Sequence, residues 1–164
     1  MKNKSKYVSG FSLIELLTAI AIIGILSAVV MVSLTSAKLK TKDKTVQAQL
    51  SSIKVQAETY YNMNGSYDGL CIASSSSRGL GGSSGPGLLL DTQKNTAIPS
   101  SINYTDNTQG KYNVITCHDS SNSWAVEAPS SKSVSNQPAM YCVDSTKMVG
   151  EDNSFLVSNQ FLCS

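Results

Sequence analysis

Four cysteines, Cys71, Cys117, Cys142 and Cys163, are the residues best placed to do chemistry, and their spacings of 46, 25 and 21 decide which chemistry. Zinc ligation calls for close pairs of the C-x2-C kind, and these spacings supply none. An even count behind an apolar N-terminal segment favours disulfides. Three pairings are possible. Cys71 with Cys117 and Cys142 with Cys163 are preferred because each closes a moderate loop, the second of about 22 residues and worth roughly 3 kcal/mol in the chain-entropy model. His118 is the single histidine, and no H-E-x-x-H, C-x-x-C or P-loop occurs, so the usual bases, metal ligands and phosphate cradles are missing. Ser83 stands in a formal G-x-S-x-G, Gly81 to Gly85, which as a nucleophile elbow needs a strand before it and a helix after it. Its flanks are serine and glycine. Glu127 and Asp119 are left as a carboxylate pair, able to do acid-base work only if the fold brings them into one cleft.

Glu15 is the other chemically pointed residue, because it is the one charge in a run of 24 residues from Phe11 to Leu34. At roughly 1.5 Å per residue the run makes about 36 Å of helix, enough to cross a hydrocarbon core of roughly 30 Å with some tilt. A buried core helix would show a polar face at 3.6 spacing, and this run has none. A cleaved signal peptide would have an apolar region of about 7–15 residues and a better cleavage site than Thr35-Ser36-Ala37. A carboxylate in such a span costs roughly 2.5–3.5 kcal/mol at mid-membrane and less near its end, so Glu15 needs a partner.

The remaining elements position these groups. The chain has 164 residues, room for one ordinary domain plus an appendage. Only 15% of residues are charged and the net charge is +2, which excludes a strongly basic nucleic-acid binder. Lys38, Lys40, Lys42 and Lys44 encircle a helix in two columns, a pattern for solvation and headgroup contact and not for one basic patch. Leu39, Val46, Leu50, Ile53, Ala57, Tyr60 and Tyr61 then form one apolar stripe, and Asn64-Gly65 supplies a C-terminal stop. The spacing predicts one helix from Phe11 to Met63, about 80 Å long.

Beyond Gly65 the basic side chains number five and the acidic ones eight. Ser74 to Gly87 is low-complexity and reads as a surface loop with no reason to pack. Strand character appears at Lys111 to Cys117, Ser123 to Ala128 and Ala139 to Val143, with a possible fourth strand at Phe155 to Val157. Residues 118–122 suit a hairpin loop between the first two. Alternation sets Tyr112, Val114 and Thr116 opposite Asn113, Ile115 and Cys117, and gives Trp124 and Val126 one face, with Trp124 as a core anchor. Leu88 to Ile98 is open to a short helix or an irregular crossing.

The residues Gly10-Phe11-Ser12-Leu13-Ile14-Glu15-Leu16-Leu17, after a short basic leader, resemble the class III signal of type IV pilins and pseudopilins. The likeness covers Lys2 to about Ser36 and, more loosely, Ala57 to Tyr67. Many members carry a helix-breaking proline at the place of Val32, so melting of the helix there is not expected. The resemblance implies cleavage between Gly10 and Phe11 by a prepilin peptidase, methylation of the new amine on Phe11, and pairing of Glu15 with that amine on a neighbouring subunit. Glycine at the scissile bond adds no side chain to an extended backbone. Cleavage would remove Lys2, Lys4 and Lys6.

The expected fold class is α+β: a long N-terminal helix, membrane-spanning in its first half, packed on a small antiparallel sheet in the pilin manner. The expected parts are a cleaved leader at 1–10, a transmembrane and assembly half of the helix at 11–36, an amphipathic half at 37–64, and a disulfide-stapled head at 65–164 with a Ser/Gly loop at 74–87. The implied function is that of a type IV pilus subunit, inserted as a single-pass precursor in the cytoplasmic membrane and moved to a surface filament. No enzymatic activity is expected. Partners would be copies of itself and related pilins, the prepilin peptidase and the inner-membrane assembly platform, with no specific nucleic acid. The alternatives are a pseudopilin of a type II secretion-like system, in a periplasmic pseudopilus, and a membrane-tethered binding domain or enzyme. No cofactor is expected beyond calcium: Asp144, Glu151 and Asp152 lie in a stretch similar to the loop where some major pseudopilins bind it, though without EF-hand spacing.

Overall fold

In a computed structural model of the protein, the described residues are 10–72, 79–80, 88–96, 100–103, 107–133, 137, 139–146 and 149–164. Helix α1 spans Leu13–Asn64, 52 residues, and continues through Val32 without a break. It ends where Gly65 takes φ +71 and its N–H bonds the Tyr61 carbonyl at 2.7 Å, the left-handed cap that glycine adopts without strain. The chain divides into two compact units, the first ending at Lys38 and the second running from Leu39 to Ser164.

In the first unit every large apolar side chain described between Phe11 and Leu34 is exposed, from 50% at Leu34 to 80% at Phe11. This helix is long and apolar enough to cross a membrane. In the second unit α1 carries the predicted stripe: Val46, Leu50, Ile53, Ala57 and Tyr60 are buried in one cluster, with Tyr61 half-buried beside it. Leu39 departs from the stripe and is exposed, because it precedes the part of the helix that packs.

A short helix α2, Leu88–Asn95, answers the open question at 88–98. Five strands follow in sequence order: β1 Ser101–Asn103, β2 Val114–Asp119, β3 Trp124–Pro129, β4 Met140–Asp144 and β5 Gly150–Asp152. The expected antiparallel sheet needs one correction, since β1 pairs in parallel with β2 and only the remaining three ladders are antiparallel. A strand of three residues is too short to show alternation. Phe155 to Val157 is not a strand. The Leu156 N–H goes to a side-chain carboxylate and not to a neighbouring strand, and the outer place on the sheet is taken by β5.

Alternation divides the sheet into two faces. Ile115, Cys117, Trp124, Val126, Ala128, Tyr141 and Val143 join the α1 stripe in one core, with Trp124 wholly buried as its anchor. Leu80 also enters that core, although Ser74 to Gly87 was expected not to pack. Its N–H bonds the Leu70 carbonyl at 2.8 Å, and burying a leucine side chain is favourable. The rest of that loop, Ser83 and its G-x-S-x-G included, lies outside the described residues, as does the leader up to Ser9. Cys71–Cys117 and Cys142–Cys163 are disulfides, with Cα separations of 5.7 and 5.9 Å, one on each face of the sheet.

Candidate functional site

The N-terminal site is built by the start of α1. Gly10 and Phe11 are exposed and precede the helix, so the backbone between them is open to a peptidase. Ser12 caps the helix: its carbonyl accepts the Leu16 N–H at 3.2 Å, and the Glu15 carboxylate reaches back to accept the Ser12 N–H at 3.0 Å. Ser12 and Glu15 are thus half of an S-x-x-E capping box, in which a carboxylate satisfies an orphan donor and faces the positive end of the helix dipole. Within one chain Glu15 therefore already has a local partner. The helix beyond it presents an apolar surface on all sides, interrupted by hydroxyls that bond back to their own helix, as Ser27 does to Ile23 and Thr35 to Met31.

A second polar constellation lies on the face of the sheet away from α1, and the residue-by-residue reading of the sequence missed it. Register places His118, Ala125 and Asp144 in one row across β2, β3 and β4, and Thr116, Glu127 and Cys142 in the next. His118, Glu127, Asp144 and Asp152 are all buried. Each holds backbone of the C-terminal segment. The His118 Nδ1 meets the Gln160 carbonyl at 2.7 Å, and the Glu127 carboxylate accepts the Leu156 N–H at 2.9 Å. Asp144 accepts the Cys163 N–H at 2.7 Å, while Asp152 accepts those of Ser154 and Ser164 at 2.9 and 3.0 Å. The usable signal was alternation in β2 and β3, which puts Thr116, His118 and Glu127 opposite the apolar face, together with a polar tail able to cover them.

Burial pushes the Glu127 carboxyl up to about 7, helped by the charge of Asp152 and opposed by the Leu156 N–H. Gly110 is required beside it, because a Cβ there would overlap the Glu127 Oε1. On the other face, burial also raises the Asp119 carboxyl, against the Cys71 N–H that it accepts at 2.7 Å. Asp119 pairs with Trp124 and Glu127 with Thr116, so the two carboxylates project from opposite faces of the sheet and share no cleft.

The three calcium candidates are placed apart in their bonding. Asp144 and Asp152 hold the backbone donors named above and Glu151 pairs with Lys132 at 2.9 Å. Among the described residues no group of three His, Cys, Asp or Glu side chains converges as a metal site.

Residues 5–31 match the family model described as the prokaryotic N-terminal methylation motif. No curated protein and no solved structure matches the chain.

Proposed function

We propose, from a chain that carries the class III prepilin-type signal of type IV pilins and pseudopilins, that it is a structural subunit of a type IV pilus. The observation that carries this reading is the methylation motif lying on a helix whose apolar residues are exposed on every side. Such a surface is stable in lipid or against other helices and costly in water, so the protein's two states are membrane precursor and helical filament. In the precursor the helix anchors the chain once in the cytoplasmic membrane. Prepilin peptidase cuts between Gly10 and Phe11 and the amine of Phe11 is methylated. The assembly platform then moves the subunit from bilayer to filament, where copies of this chain and related pilins pack apolar helix against apolar helix.

Glu15 supplies register in this scheme. In the isolated chain it caps Ser12; in the filament the amine of Phe11 on a neighbouring subunit is a stronger partner, since it brings a full positive charge into a low-dielectric core. The second unit has its own core and two disulfides.

The test is the intact mass of the chain in material sheared from the cell surface. A species beginning at methylated Phe11 and abundant in that fraction supports the pilus. A processed chain confined to the membrane fraction replaces it with a pseudopilus, and an unprocessed chain overturns both.

A further inference from the structure

Among the described residues Tyr61 and Tyr67 are the one pair of tyrosine rings in contact, with centroids 4.6 Å apart and planes inclined by 37°. The end of α1 brings them together. Gly65, at φ +71, turns the chain back after the helix, and Tyr67 lands against the last turn, which carries Tyr61. Tyr67 is fixed from three sides. Its N–H bonds the Ser121 carbonyl at 3.2 Å, its hydroxyl donates to the Glu58 carboxylate at 3.1 Å, and its ring meets that of Trp124 edge-on with centroids 6.5 Å apart. The three residues differ in access: Tyr67 is buried, Tyr61 half-buried and Glu58 exposed. Aromatic rings at such a spacing hold carbon atoms in van der Waals contact, at about 3.5–4 Å.

We propose that Tyr61 and Tyr67 are an oxidative modification site, at which two equivalents of a one-electron oxidant join the two rings by a carbon–carbon bond and so tie the C-terminal end of α1 to the turn that follows it.

The oxidant reaches Tyr61 first and takes one electron from it, the phenol releasing its proton to solvent. Tyr67 then refills Tyr61 across the ring contact. As that electron leaves, the Tyr67 hydroxyl proton passes to the Glu58 carboxylate already bonded to it, so no cation is stranded in the core, and Tyr61 recovers a proton from solvent. A second oxidation of Tyr61, again with loss of a proton, leaves two phenoxyl radicals side by side. They couple through ring carbons ortho to the oxygens, and the two hydrogens on those carbons move as protons to the oxygens. In sum the chain gives up two electrons and two protons, and the two equivalents of oxidant take the electrons. Radicals already held in contact couple faster than either meets a tyrosine of another chain. The link falls four residues before the Cys71–Cys117 disulfide and adds to it a second covalent tie at this end of the core. It goes beyond the pilus reading and does not rest on it.

The test is oxidation of the full chain in detergent micelles by a ruthenium tris-bipyridyl complex and persulfate under visible light, followed by reduction and alkylation of the disulfides and digestion with trypsin. Cleavage after Lys54 and Arg78 leaves both tyrosines on peptide 55–78. That peptide is expected to become lighter by two hydrogens, to show dityrosine fluorescence, and to release no backbone fragments between 61 and 67 in the mass spectrometer. Tyr61→Phe and Tyr67→Phe, which keep the rings, are each expected to cut its yield at least about tenfold, and Tyr112→Phe to leave it unchanged. An undiminished yield in either of the first two variants overturns the proposal. Dityrosine found only between chains, or oxidation of Trp124 with peptide 55–78 unlinked, overturns it on the unmodified chain alone. Glu58→Gln keeps an acceptor for the Tyr67 hydroxyl but no base, and is expected to slow linking at least about threefold, with added acetate restoring the rate. An undiminished rate removes Glu58 from the step.

Discussion

Replacing Glu127 with glutamine removes one titration from the folded state while keeping the shape of the side chain and its bond from the Leu156 N–H. The carboxyl sits at about 7 in the folded chain against 4.5 as its ordinary value. Because the folded value is raised, the folded state holds the proton after the unfolded state has released it. The group's contribution is therefore fully present below about pH 4.5 and is lost as pH rises to about 7. At about 1.4 kcal/mol per pH unit, the loss comes to about 3 kcal/mol, undiminished by solvent because Glu127 is only 1% exposed. The assay is guanidinium unfolding of the full chain in micelles, followed by the fluorescence of Trp124, which is the single tryptophan and wholly buried. The stability difference between Glu127→Gln and the unmodified chain is expected to move by about 3 kcal/mol in favour of the variant between about pH 4.5 and about pH 7, and then to level off. A difference constant across that range would refute the assignment of Glu127 as a buried, proton-holding carboxyl.

Three further outcomes are expected. Cys142→Ser with Cys163→Ser opens a loop of sequence separation 21 and should cost about 3 kcal/mol in the same unfolding assay. Leu50→Ala, at a wholly buried position of the α1 stripe, should cost about 2–5 kcal/mol; an effect under about 1 kcal/mol would mean that the stripe does not pack as described. Glu15→Leu should leave cleavage at Gly10 intact by mass while abolishing filaments or their subunit order in electron micrographs, and normal filaments from this variant would remove Glu15 from assembly.

Much of this architecture was legible in local chemistry. The 24 residues from Phe11 to Leu34 announce a helix that no water-facing core accommodates, since length and hydropathy are summed along the chain and need no partner to be read. Val46, Leu50, Ile53, Ala57 and Tyr60 show their buried face through 3.6-residue spacing, and Trp124 with Val126 shows its face through period-two alternation. Gly65 marks the helix end because glycine alone enters the left-handed cap freely. These properties are written within one turn or one strand of the residue concerned.

What needed the tertiary structure is non-local. β1 finds its parallel partner 13 residues later, and three residues carry too little alternation to foretell it. Leu80, in a serine- and glycine-rich stretch of sequence, enters the core with its N–H on the Leu70 carbonyl, a contact no local periodicity foretells. His118 and Glu127 looked like an isolated base and half of a carboxylate pair. Their roles appear only when the tail from Ser154 returns to the sheet and sets backbone donors and acceptors against them. The helix, its apolar surface and the alternating faces of the strands follow from short-range periodicity and so are written in the order of residues. Which buried polar atoms meet was decided by folding, because hydrogen bonding depends on distances between segments far apart in the chain.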